Sequence, residues 1–413
     1  MKVIHTSDWH IGRPLGRKRY EETQAFLDWL AERIESERVD LLIVAGDLFD
    51  NSTPSNTAQE IYYRFLCRVA AAPNRHIVVI AGNHDSPSLL NAPRELLKCL
   101  NVHVVGCAAD PSADEVIVLD GSHHDPGLIV CAVPYLRDRD IRVAEAGETI
   151  QDKERKLIEG IRRHYRLVCE AAERKRDLLK RRVPIIATGH LFAAGGRTVD
   201  GDGVRELYIG ALAQVGTDLF PECIDYLALG HLHIPQKVGG SPVIRYCGSP
   251  LPLGFGEAEP RKCVLLVEFS GAGPLVTEIP VPPFRELKTL KGDWHTVAAG
   301  IDALKAAGSR AGLEIIYEGE EIAGDLRDRL DEAIAGSAME ILRVKNNRVI
   351  ALAMDGTGAE ESLDDLDVTE VFGRCLDAHR VPEDQRPDLL AAYREAVVSL
   401  NEADRMSEEG AFA

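Results

Sequence analysis

Five apolar runs in the first 235 residues end in side chains that bind metal ions or move protons. They close on Asp8 and His10 (HTSDWH), on Asp47 (VAGD), on Asn83, His84 and Asp85 (IAGNHD), on His190 (ATGH), and on His231 and His233 (LALGHLH). In LALGHLHIP a glycine ends the run and two histidines follow, two positions apart. Residues at i and i+2 share a face in extended chain, so both imidazoles could reach one locus. A single Asp or His at a strand end is usually a cap or a satisfied loop residue. Repetition at every strongly apolar strand is not explained that way, because open α/β sheets bind ligands outside the carboxyl ends of their strands. Asp, His and Asn together suit a borderline divalent ion, and no cysteine in the set pulls it toward a thiolate site. The ligands outnumber one tetrahedral centre, whereas an Asp carboxylate can bridge two ions about 3.5–4 Å apart. Such a pair clamps a phosphoryl group, so the implied chemistry is phosphoester hydrolysis.

Bringing those ends to one cleft requires alternating strands and helices. KVIHTSD, VDLLIVAGD and RHIVVIAGNHD read as strands. YEETQAFLDWLAERIESE reads as an amphipathic helix with Phe26, Leu27, Leu30 and Ile34 on one side. NTAQEIYYRFLCRVAAA is a second helix, and a third helical pattern surrounds NAPRELLKCL. This alternation implies βαβ units, and the apolar strands fit a sheet covered on both faces. EVIVLD, GLIVCAVP and VPIIATGH add strands, with VIRYCGSP and KCVLLVEF expected to close a second sheet. The Pro-rich IPVPPFREL, residues 279–287, reads as a linker to a small α/β module: TVAAGIDALKAAG, LEIIYEG, AGDLRDRLDEAIA and EILRVKN. A polar break, DGTGAEESLDD, precedes two helical patterns. They carry Val368, Val371, Phe372 and Leu376, then Leu389, Leu390, Tyr393 and Val397, at i, i+3, i+4 spacing. The expected domains are therefore residues 1–278, 279–355 and 356–413.

At 413 residues, 45% hydrophobic and 28% charged, the composition is that of a soluble globular protein of two or three units. No apolar run approaches the roughly 18 residues of a membrane span. The N-terminus runs straight into a strand pattern, so no signal peptide is expected. Nine cysteines without a C-x-x-C pair point to free thiols in a reducing cytoplasm. The net charge of −18 argues against indiscriminate nucleic-acid binding, but the charge is uneven. Residues 153–182 are basic, and the tail from Gly358 is acidic. The basic stretch reads as a solvated helix with i,i+4 pairs or, if its cations share one face, as a contact for DNA phosphates.

DWH, GDLFD, GNHD, GHLF and GHLH, in this order, resemble the signature blocks of the calcineurin-like metallophosphoesterase superfamily over roughly residues 1–270. Within it, HTSDWHIG, GHLFAAGG and GSPLPLGFGE resemble the SbcD family of DNA-repair exonuclease subunits, which partner the SMC-like ATPase SbcC. The resemblance implies an α/β fold with a two-sheet α/β sandwich core, a small α/β capping module facing DNA, and a helical tail. It also implies two divalent ions, Mn2+ or else Mg2+. Asp8, His10 and His233 would hold the first, Asn83, His190 and His231 the second, and Asp47 would bridge them. His84 would contact the scissile phosphate and assist the leaving oxygen. Asp50 lies where superfamily phosphatases place an acid that orients that histidine; relatives outside the bacterial branch often carry His there. Asp85 reads as a second orienter or as a helix N-cap, the cap preferred because DSPSLLNAPRELL opens a helical region. The implied partners are DNA duplex ends and single strands, SbcC through residues 364–400, and a second copy through helices near 56–72 and 88–100. Both helices read most simply as core-facing, although Tyr62, Phe65 and Leu66 would give the first a wide apolar face; Trp9 reads as packing. The expected activity is 3′-to-5′ exonuclease and single-strand endonuclease in the bacterial cytoplasm, at the nucleoid. The alternatives are a small-molecule or cyclic-nucleotide phosphodiesterase and a non-catalytic DNA-end scaffold.

Overall fold

The computed structural model describes residues 1–346, except 73, 122–125, 143–147, 194–215, 259–260, 272 and 320–325, together with 372, 373, 376, 386, 389, 390 and 393. Two compact units divide the chain, Met1–Phe284 and Arg285–Ala413.

In the first unit β1 (Lys2–Thr6) leads to helix α1 (Tyr20–Ser36), β2 (Leu41–Ala45) to α2 (Asn56–Ala70), and β3 (His76–Ile80) to two short helices, Pro87–Asn91 and Arg94–Lys98. After β4 (Val102–Val105) come β5 (Val116–Asp120), β6 (Pro126–Cys131), the long helix α3 (Ile150–Leu179), β7 (Ile185–His190), β8 (Tyr226–Gly230) and β9 (Ile244–Tyr246). The unit closes with β10 (Cys263–Phe269) and β11 (Pro274–Pro280). The first sheet runs β11-β10-β1-β2-β3-β4, and the second runs from a two-residue strand, Gln236–Lys237, through β9, β8, β7, β6 and β5. β1 to β4 are mutually parallel, as are β6 to β9.

Alternation along each strand explains the layers. In β2, Leu41, Ile43 and Ala45 join Leu128, Val130, Ile186 and Ala228 of the other sheet in one cluster. Leu42 and Val44 face the opposite way, into Phe26, Leu30, Ile34, Phe65 and Leu66 of α1 and α2. On the far side, Leu157, Ile161, Tyr165 and Val168 of α3 cover Ile129, Ile185 and Leu229. The result is a helix–sheet–sheet–helix sandwich, and each fully buried aliphatic side chain contributes about 1.5–3 kcal/mol. Trp9 packs as expected, edge-on to Phe26 and Phe65, with its indole N–H donated to the Thr6 hydroxyl. The helix caps are conventional: Ser55 accepts from Ala58 N, and Thr149 and Asp152 form a reciprocal capping box at the start of α3. Along α3 several cations pair with carboxylates three or four residues away, as in Arg155–Glu159, Arg166–Glu170 and Arg176–Glu173, which supports the solvated-helix reading, while Arg162 pairs with Asp218 and Lys156 with Glu148 off the helix.

Two expectations are corrected. KCVLLVEF does not close the second sheet; it is β10, antiparallel to β1 in the first. Its apolar run requires cover on both faces but says nothing about which sheet supplies its neighbour. Tyr62, Phe65 and Leu66 are buried within their own unit, so α2 faces the core, as its simplest reading expects. The "linker" is partly strand, since β11 extends through Pro280.

The second unit contains a parallel three-stranded sheet, β12 (Leu287–Gly292), β13 (Gly312–Tyr317) and β14 (Glu340–Asn346), in that order. Helices α4 (Trp294–Ala306) and α5 (Leu326–Ile334) cover it. Val297, Ile301, Leu313, Ile315, Tyr317, Leu330 and Ile341 form its core. Of the tail, Phe372 and Tyr393 stack with ring centroids 4.1 Å apart and Leu376 is buried, while Val368, Val371 and Val397 lie outside the described residues. No described helix is long and apolar enough to cross a membrane. The described cysteines are free thiols.

Candidate metal centre

The carboxyl ends of β1, β2, β3, β7 and β8 meet along one edge of the sandwich. The approach is so close that a Cβ on Gly82 would overlap the Asp47 carboxylate, and one on Gly230 the Ala45 carbonyl. Small residues before the ligands are therefore a packing requirement. The ligands turn sharply out of their strands: Asp8, His10, Asp47 and His231 have φ of 53°, 43°, 49° and 100°. Non-glycine residues in this left-handed region store strain that surrounding structure must hold, and such residues cluster at functional sites.

Donors gather around Asp47 in three overlapping groups. Asp8, His10 and His233 make the first, with His233 Nε2 4.0 Å from Asp8 Oδ1. Asp47, His190 and His231 make the second. Asn83 joins it through Oδ1, 3.0 Å from His190 Nε2 and 3.1 Å from His231 Nδ1. Asp47 Oδ2 lies between the groups, 3.5 Å from His10 Nε2 and 3.2 Å from His190 Nε2. The set fits a pair of borderline divalent ions, since its donors are imidazole nitrogens and carboxylate or amide oxygens. Both ring nitrogens of buried His10 lack a hydrogen-bond partner, the state expected of a side chain built to bind something else.

The electrostatics match. Burial alone would raise Asp47, but His190, His10 and His84 outweigh it and hold the carboxyl ionised well below its usual range. Burial pushes His231 down to about 3 and also lowers His10, keeping both neutral with lone pairs available. For His190 burial is overcome by Asp47, which raises it to about 9. A proton there occupies the position a cation would take and must leave when one binds.

The third group joins His84 to His10 and Asp47. The His84 backbone N–H donates to Asp47 Oδ1 at 2.9 Å, and its ring meets His10 edge-on at 4.8 Å. Its Nδ1 lies 2.7 Å from the main-chain carbonyl of Asp50 and so carries the proton, leaving Nε2 for a substrate. The expected orienting contact thus exists, but through the Asp50 backbone. The Asp50 carboxylate faces Arg13 at 3.1 Å and His10 Nδ1 at 3.5 Å; despite burial, His10 and Arg13 hold it below its usual range. Asp85 is not the helix cap. Ser86 caps Pro87–Asn91, while the buried Asp85 carboxylate accepts the backbone N–H groups of Leu48, Phe49 and Gly82. It ties the loops after β2 and β3 together. Burial and the nearby Asp47 raise it to about 6.

One participant was missed in the sequence. Glu257, fully buried, lies with Oε1 3.2 Å from His233 Nδ1. Burial would raise it, but His233 and Lys262 hold it at about 2. Its only sequence signal is its place at the end of GSPLPLGFGE.

Residues 1–235 match the calcineurin-like phosphoesterase family, and residues 283–380 match a family described as the type 5 capsule protein repressor C-terminal domain. The chain is similar to the SbcD subunit of the nuclease SbcCD of Escherichia coli K12, 36% identical over 394 residues, covering 94% of this chain and 96% of that one. The proteins of the same name in Rhodobacter capsulatus and Bacillus subtilis are 37% and 33% identical. The matches cover 68% of this chain and 69% of the R. capsulatus protein, and 65% and 66% for B. subtilis.

Proposed function

Since the chain belongs to the calcineurin-like phosphoesterase family, in the branch of the SbcD nuclease subunits, we propose that it cuts DNA phosphodiesters with two divalent ions, as a 3′-to-5′ exonuclease on duplex ends and an endonuclease on single strands. It is a metal-dependent phosphodiester hydrolase. The observation that carries the reading is the Asp47 carboxylate between two sets of imidazole ligands, with His84 hydrogen-bonded to that same carboxylate.

Asp8, His10 and His233 would hold one ion and Asn83, His190 and His231 the other, with Asp47 shared between the two sets. When bound, such a pair acts as a Lewis acid on the phosphoryl oxygens and supplies a nucleophile at neutral pH. His84 would contact the scissile phosphate through Nε2; as the imidazolium it keeps Nδ1–H on the Asp50 carbonyl, gives its Nε2 proton to the leaving oxygen and returns to the neutral ring, a general-acid role. The Asp50 carbonyl fixes the ring for that transfer. Mn2+ is the proposed ion, because an imidazole-rich set is a poorer match to oxygen-seeking Mg2+.

Residues 279–355 form the DNA-facing module, and 356–413 an acidic linker and tail. The tail docks on an SbcC-type ATPase through residues 364–400. Two short amphipathic helices have too little core to fold alone, and the Phe372–Tyr393 stack supports their pairing into one docking element. The proposed assembly is a homodimer through 56–72 and 88–100; the exposed Leu96 (71%) and Leu100 (41%) support the second segment, whereas the apolar face of the first is buried in its own core. The setting is the bacterial cytoplasm, at the nucleoid.

The test is cleavage of end-labelled duplex with Mn2+, with and without chelator, beside bis-p-nitrophenyl phosphate. Metal-dependent cleavage of both is expected. Hydrolysis of the generic diester alone would point to a small-molecule phosphodiesterase, and of neither to a scaffold. Deleting residues 364–413 should spare the generic diester activity and abolish co-purification with the ATPase; undiminished capture would overturn the tail assignment.

A further inference from the structure

GSPLPLGFGE supplies none of the proposed ligands, yet it folds against one of them. The short helical turn Phe255–Glu257 places the Glu257 side chain in a fully buried position behind His233. Its Oε2 is surrounded by donors: the Leu253 backbone N–H at 3.3 Å, the Ser249 hydroxyl at 3.0 Å and the Lys262 ammonium. Lys262 also donates to Ser249 Oγ at 2.8 Å and to the His233 carbonyl at 3.0 Å, which anchors the network to the ligand's own backbone. Oε1 is left for His233, 3.2 Å from Nδ1. An ionised carboxylate only accepts, so the proton on that line belongs to the imidazole.

We propose that Glu257 is a positioning residue for the first ion: it fixes His233 as the Nδ1–H tautomer and thereby presents a bare Nε2 to the locus shared with Asp8 and His10. The inference rests on the reading of His233 as a ligand. A carboxylate behind a ligating histidine sets ring orientation and raises ligand basicity, and its removal typically costs about 10–100-fold in metal affinity.

Glu257→Gln keeps the shape and reverses the polarity on one side. Lys262 and the Leu253 N–H still demand an oxygen, so the amide NH2 turns toward His233 Nδ1. That donor drives the ring proton to Nε2, where it blocks the lone pair. Calorimetric titration of the full chain with MnCl2 should show two ions in the wild type. The variant should bind one of them about 10–100-fold more weakly and the other with a much smaller change. Nitrogen NMR of 15N-histidine-labelled, metal-free protein should show His233 protonated at Nδ1 in the wild type and at Nε2 in the variant, the signals being those lost in His233→Asn. If the wild type takes up no ion pair, the ligand reading fails and the inference with it. If the wild type takes up the pair and Glu257→Gln binds both ions equally well, the inference alone fails. Should the variant not fold, the wild-type spectrum decides, and an Nε2–H His233 there overturns the proposal.

Discussion

His190 and His233 stand on opposite sides of Asp47 and are held by different means. His190 is the last residue of β7, and its Nδ1 rests 3.0 Å from the Ala45 carbonyl at the end of β2. His233 lies three residues beyond β8 and leans on a buried carboxylate that arrives from a later loop. The difference follows from distance to the sheet. At a strand end, the ladder already fixes both the imidazole and the carbonyl behind it. Past the end, nothing in the backbone ladder orients the ring, and a charged side chain with its own Lys and Ser supports does so instead. The same contrast recurs at His84, which lies in a loop and is oriented by a main-chain carbonyl of a second loop that Asp85 ties down.

The largest effect should come from removing what the two halves share. Asp47→Ala should lose both ions and lower Mn2+-dependent hydrolysis of bis-p-nitrophenyl phosphate by at least about 10^4-fold. Metal content by plasma spectrometry checks this, and a variant that keeps both ions would remove Asp47 from the bridging position. His84→Ala should cost about 10^2–10^4-fold while both ions stay bound, because the imidazole faces substrate. A missing ion in that variant would make His84 a ligand. Asp50→Ala tests whether carbonyl or carboxylate does the orienting. The carbonyl survives the substitution, so hydrolysis should fall only about tenfold, the ~1.4 kcal/mol scale of a lost interaction with His10 and Arg13. A loss equal to that of His84→Ala would make the carboxylate the orienter.

The smallest effect concerns an imidazole that no carboxylate supports. His5 is fully buried in β1 with Nδ1 2.9 Å from the Tyr226 hydroxyl, and burial pushes it down to about 3. The unfolded chain binds a proton near the ordinary value of 6.5, where the folded chain does not. Its contribution to stability is therefore intact above pH 6.5 and lost as pH falls toward about 3. Between pH 7 and 5.5 this amounts to about 1 kcal/mol. Urea denaturation at the two pH values should show the loss shrinking by that amount in His5→Asn; an unchanged slope would assign it to other groups.

The sequence by itself determined which side chains the fold brings to one edge of the sandwich as candidate ligands. Short apolar runs bounded by turn signals fit strands covered on both faces, and the polar ligand types that close five of them have no role in that burial. The same logic identified α1, α2, α3 and both helices of the second unit. Local pattern failed where a residue's role depends on its neighbours in space. Leu287–Gly292 gives no strand signal because an edge strand needs few apolar residues; most of it is exposed or half-exposed. Cys263–Phe269 could be recognised as a strand, but its sheet was decided by which edge, that of β1, remained open. Asp85 looks like a cap in sequence and is a brace between two loops, because hydrogen-bond donors 36 and 37 residues away reach it before the next turn of helix does. Glu257 lies 24 residues from His233, and only the packing of the closing loop against β8's exit brings the carboxylate to the ring. Ligand identity is a property of side-chain chemistry and survives in a string of letters. Which proton each ligand carries is set by the group behind it, and that group is chosen by the fold.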